Sequence, residues 1–176
     1  MALLNLVIAP NPLLQQKSVP VTKITDNTKK LVINMLETMY YNKGIGLSAV
    51  QVGILERIIV VDVKWPDTDK PSNEQYVMIN PEIVHISEKQ NDYNEGCLSF
   101  PSESVNITRP KIIKVKYLNL DGKEEEIEAD GLFATCIQHE IDHLNGITIS
   151  SYVSPLKRTM MINRIKKIKK NIKHVV

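Results

Sequence analysis

The chain has 176 residues, 43% hydrophobic and 24% charged, ordinary proportions for a soluble globular protein that buries about two-thirds of its unfolded surface without disulfides. Two cysteines, Cys97 and Cys136, exclude a disulfide framework and suit a reducing compartment where thiols are free to bind metal. The net charge of +2 hides an asymmetry: residues 1–150 hold 14 Lys/Arg against 20 Asp/Glu, whereas residues 151–176 hold 8 cations and no acid. The two parts therefore face different partners, or one end simply keeps the chain soluble.

Residues 2–9 are apolar but lack a basic flank, and Pro10 and Pro12 interrupt them. They read as an extended segment, not a signal peptide. Asn11-Pro12-Leu13-Leu14 turns into a short helical piece. Thr25 or Asp26 caps a longer helix reaching about Tyr41, with Leu31, Met35 and Met39 on its apolar face and Gly44 placed to stop it. In Gly44-Ile45-Gly46-Leu47-Ser48-Ala49-Val50-Gln51, two nearby glycines permit close backbone approach, and no Gly-Lys-Ser/Thr follows to make it a phosphate loop. Residues 58–63 are a strand buried on both faces. Residues 64–73 form a surface loop, with Trp65 packing at the strand end.

Short strands follow at 76–79 and 82–87, split at Asn80-Pro81, and Lys89 to Asn94 is polar and loop-like. Residues 111–118 alternate Ile/Val with Lys, and Asp121-Gly122 turns them into an acidic strand over 123–128. A helix spans 131–145, with Asp130 at its N-cap, Phe133, Ile137, Ile141 and Leu144 as its stripe, and Gly146 as its stop. A short strand near 147–149 precedes a last helix begun by Ser154-Pro155, on which Met160, Ile165, Ile168 and Ile172 follow helical spacing. The pattern predicts one α+β domain over residues 1–176: mixed, mainly antiparallel sheets around a central helix, with an N-terminal helix and a basic C-terminal helix over 153–176. No run approaches the ~20 apolar residues of a membrane span.

The chemistry lies in the central helix, which reads His139-Glu140-Ile141-Asp142-His143. Histidines four apart share a helix face and close on one metal ion, with the glutamate beside the open position. Two flanking surface histidines are the bland alternative. A catalytic ion needs a third protein ligand, and His85, His174, Cys97, Cys136 and the acids all compete. His85 sits in a strand and His174 in the basic tail, so both are set aside, and Cys136 reads as a buried thiol beside the site. Cys97 follows Glu95-Gly96, where glycine permits a tight approach, and precedes Leu98, whose amide faces a substrate in that reading. Taken alone it would be a small core residue.

Three segments together, Gly44 to Gln51, Glu95-Gly96-Cys97-Leu98-Ser99 and Gln138 to His143, resemble peptide deformylase, and the resemblance covers essentially the whole chain. Ser48 stands where that family usually shows alanine, and Phe100 where a smaller aliphatic is common. The resemblance implies a hydrolase that removes the formyl group from N-terminal formyl-methionine of new polypeptides and releases formate. It implies a metal held by Cys97, His139 and His143, with Glu140 as acid and base and with Gln51 and the Leu98 N–H as oxyanion donors. Ferrous iron is the ion the resemblance implies, with zinc, nickel or cobalt able to occupy the site. Substrate contacts would come from Gly44, Ile45, Gly46, Tyr93, Glu95, Gly96, Leu132 and Cys136, the glycines offering backbone to an added strand. Arg109 is the expected partner of Glu95.

The basic helix is either a docking helix with a solvated face or, as the resemblance suggests, a contact to the ribosome near the nascent-chain exit. A monomer without membrane attachment is expected, cytoplasmic or imported with its targeting segment gone. Two rivals remain. A zinc metallopeptidase shares His-Glu-x-x-His but usually takes its third ligand downstream, and a non-catalytic nucleic-acid binder leaves Gln51, Cys97 and Glu140 without purpose.

Overall fold

The computed structural model describes residues 2–65 and 74–173, with side chains described as far as Lys169. Most of the expected loop over 64–73, His174 and the side chain of Ile172 lie outside the described residues. The architecture is α+β. Among the described residues, seven strands form a five-stranded antiparallel sheet in the order β1-β2-β3-β6-β7 and a separate hairpin, β4-β5. Their spans are β1 Gly46–Ser48, β2 Ile58–Val61, β3 Tyr76–Ile86, β4 Gln90–Cys97, β5 Phe100–Pro110, β6 Ile112–Leu118 and β7 Glu124–Asp130; the helices are α1 Asp26–Tyr41, α2 Gly131–Leu144 and α3 Pro155–Lys173. No helix among the described residues is long and apolar enough to cross a membrane.

β2 is apolar throughout because the sheet is covered on both faces. Ile59 and Val61 join Ile137, Ile141 and Leu144 of α2 in one core cluster, while Ile58 and Val60 meet Val32, Met35 and Met39 of α1 in another. Period-2 side-chain alternation sends neighbours to opposite layers. A third cluster joins Phe100, Val105 and Ile107 of β5 to Met161 and Ile165 of α3 and to Ala9 and Leu14. The N-terminal segment laces these parts together, its Val7 N–H donating to Gln51 O (2.8 Å) and its Ala9 N–H to Ser99 O (2.9 Å).

Several expectations change in detail. Thr25 caps α1 in a reciprocal pair with Thr28, but its stop is different. Lys43, not Gly44, takes the left-handed conformation (φ 56°), and the Lys43 and Gly44 N–H groups donate to Tyr40 O and Met39 O. β3 is one strand, not two: a bulge at Asn80 (φ 52°) absorbs the Asn-Pro step, and the Asn80 side chain pairs with both backbone groups of Val21. Of residues 89–94, all but Lys89 belong to β4 instead of a loop. The segment near 147–149 leads into a short 3₁₀ turn, Ile149–Tyr152, not a strand. On α3 the buried residues are Met161 and Ile165, whereas Met160 is exposed. The β6–β7 hairpin is as expected, with Lys114 and Lys116 opposite Glu128 and Glu126.

Candidate active site

α2 carries polar residues into the core. Gln138, His139, Glu140 and His143 are all buried, and burying such groups is costly unless each finds a partner. Asp130 stands at the N-cap without a side-chain cap bond, and α2 is held instead by its packing and by the Gln138 amide donating to Pro110 O at 3.0 Å.

The β4–β5 hairpin supplies the partners. Its turn consists of only Leu98 and Ser99, with Cys97 paired to Phe100 across it. This brings Cys97 Sγ to 3.2 Å from His143 Nε2. The ligand atoms of Cys97, His139 and His143 all lie within 4.8 Å of one another. On β4, Glu95 accepts from Arg109 Nε (2.6 Å) and Nη2 (3.0 Å) and lies 2.8 Å from His139 Nδ1. The carboxylate therefore places the His139 proton on Nδ1 and leaves Nε2 to face the cluster. Arg109 continues to Asp142 Oδ2 at 2.9 Å, where the Tyr152 hydroxyl also donates at 2.6 Å. The expected Glu95–Arg109 pair is present. Asp142 and Tyr152 were not foreseen as members of this network, since neither stands out by residue type or spacing.

The cluster borders a cleft of about 550 Å³. Gly44, Ile45, Gly46 and Gln51 line one wall, and Tyr93, Glu95, Gly96, Cys97 and Leu98 line the other. Leu132, Cys136, His139 and Glu140 of α2 form the floor, so every expected site residue except His143 borders the cavity. His143 lies behind Cys97, almost wholly buried. His85 is exposed on β3, outside this cluster. Gly46 is needed where it is: a Cβ there would come within 2.6 Å of Cys136 Sγ and 2.7 Å of Glu140 Oε1. Gln51 points its Nε2 to 3.5 Å from Cys97 Sγ and 3.3 Å from Ser99 Oγ.

The electrostatics follow from burial. Desolvation pushes Glu140 up to about 7, and its Oε2 has no protein partner. Burial, then the charge of His139, holds His143 well below the usual histidine value, a neutral imidazole. Burial opposes charge at His139 too, but hydrogen bonds with Cys97 and Glu95 raise it well above normal. A cysteine sulfur and two imidazoles form a donor set for a first-row divalent ion, beside the cleft. The residues fit a metal.

A family model described as polypeptide deformylase matches residues 3–159. The peptide deformylase of Bartonella henselae is 49% identical over 162 residues, covering 92% of this chain and 90% of that protein. That of Rhizobium meliloti is 46% identical, covering 97% and 96%. The crystal structure of peptide deformylase from Ehrlichia chaffeensis superposes with a TM-score of 0.90 at 41% identity, covering 97% of this chain and 98% of that one.

Proposed function

The chain belongs to the peptide deformylase family, and on that premise we propose how its own residues perform the reaction. It is a metal-dependent hydrolase that removes the formyl group from the N-terminal formyl-methionine of new polypeptides and releases formate. The convergence of Cys97, His139 and His143 beside a buried carboxylate carries this reading. When bound there, a divalent ion supplies Lewis acidity and a water acidified toward neutrality.

Glu140 takes the proton from the attacking water and returns it to the leaving amine; its unpartnered Oε2 is the atom for that exchange. The Gln51 side-chain amide and the Leu98 N–H donate to the formyl oxygen as it gains charge, a role worth about 100- to 1,000-fold per donor. Glu95 orients His139, and Arg109 keeps Glu95 ionised. Ile45, Tyr93, Leu132 and Cys136 receive the methionine side chain. Among the described strands β1 is at the end of its sheet, beside β2, and since Gly44 already bonds Met39 O and Trp65 Nε1, it is Gly46 and Gly96 that offer backbone to an extended peptide.

Ferrous iron is the ion we propose, with zinc, nickel or cobalt able to replace it, and oxygen would then inactivate the enzyme through the metal or Cys97. Residues 1–176 act as one catalytic domain, a cytoplasmic monomer whose basic helix α3 contacts the ribosome. The test is formate release from formyl-Met-Ala-Ser by anaerobically prepared protein, with metal analysis. Glu140→Ala should lose about 100- to 10,000-fold in kcat while keeping its metal. An inactive, metal-loaded wild type would overturn the reading, and cleavage of an unformylated peptide would redirect it to a peptidase.

A further inference from the structure

We propose that Ser48 is a positioning residue for deformylation, its hydroxyl fixing the orientation of the Gln51 carboxamide so that Nε2 is presented to the formyl oxygen. The inference rests on the reading of Gln51 as an oxyanion donor. Ser48 is the last residue of β1 and stands just before the 3₁₀ turn Ala49–Val52, so Gln51 is three residues on and folds back over it. Both Ser48 donors meet one atom: the backbone N–H lies 2.9 Å and the hydroxyl 2.8 Å from Gln51 Oε1. The backbone N–H can only donate, so it selects the oxygen end of the carboxamide, and the hydroxyl donating to the same atom holds that oxygen in place. The carboxamide nitrogen must face the other way, towards Cys97 and Ser99 at the cleft wall.

Burial makes this orientation matter. Ser48 is fully buried and Gln51 is 1% exposed, so water cannot replace either bond. The flipped carboxamide would set its NH₂ against the Ser48 backbone N–H, which can only donate, and its oxygen against the Cys97 sulfur. That state presents an acceptor where negative charge develops in the reaction. An alanine at position 48 keeps the backbone donor and loses the hydroxyl, which leaves the carboxamide held by one bond and free to swing away from the formyl oxygen. The same hydroxyl also bears on Glu140, so the test has to separate the two neighbours.

The experiment is a double-mutant cycle on the metal-loaded enzyme with formyl-Met-Ala-Ser, comparing Ser48→Ala, Gln51→Ala and the pair at matched metal content. Ser48→Ala should lower kcat about 3- to 10-fold, the worth of one neutral buried hydrogen bond, with KM nearly unchanged. In the Gln51→Ala background the same substitution should cost nothing further. Equal losses in both backgrounds, or no loss in either, would overturn the inference and leave the Gln51 reading intact. If Gln51→Ala alone leaves kcat unchanged, the oxyanion role of Gln51 falls, and this inference falls with it.

Discussion

The helices α2 and α3 follow one another in the chain and are built by opposite rules. α2 is buried nearly all round and carries polar residues inward, where Gln138 and His139 are tied to partners and Glu140 borders the cleft. α3 buries a narrow stripe, Met161 and Ile165 among its described residues, and turns its cations to solvent. Charge on α2 is expensive and therefore specific; charge on α3 is cheap and available to a diffuse partner. The salt bridge from Arg164 to Glu103 fits that contrast, since the arginine is half exposed while the Glu95–Arg109 pair is almost wholly buried.

That contrast can be broken in order of expected effect. Arg109→Ala would strand Glu95 as a buried carboxylate without its cation. We expect a loss of about 3–5 kcal/mol in unfolding stability and about 10- to 100-fold weaker metal binding, read by denaturant unfolding and metal titration. Gly46→Ala tests the space above α2, because the added methyl would press on Glu140 and Cys136. A kcat about 100-fold lower is expected from a displaced Glu140, and an unchanged kcat would mean that the strand yields instead.

On α3 the consequences should separate. Met161→Ala removes a fully buried side chain and should cost about 2 kcal/mol, near the low end for such a truncation because a surface helix can settle into the space. Thermal unfolding would report it, while kcat on a small formylated peptide stays as in the wild type. Lys166→Glu with Lys167→Glu should leave stability and kcat unchanged, yet weaken ribosome binding and flatten its dependence on salt. Ribosome affinity that survives the double substitution would reduce α3 to a packing element.

The same physics explains what could be read from the chain alone. α2 was legible because its apolar stripe, its histidine spacing and Gly146 agree. β2 was legible because an unbroken β-branched run needs cover on both sides, and β6–β7 because Asp-Gly joins two alternating segments. β4 was not, because its most deeply buried side chain is Glu95, so the inward face lacks the apolar signature of a strand. β3 was divided by a proline that a bulge accommodates. Spacing along the chain left the third ligand open; only the hairpin pairing brings Cys97 to His143. Nor could Ser48 be assigned a partner from its type, since its role depends on Gln51 folding back.

The N-terminal segment has a further consequence. Val7 and Ala9 hang on the carbonyls of Gln51 and Ser99, one on each wall of the cleft. These contacts join positions far apart in the chain, so closing them carries a loop-entropy cost that the rest of the fold must offset. Residues 7–9 thus tie together the segments that carry the two walls, and the width of the cleft depends on a stretch that supplies none of the metal-ligating side chains.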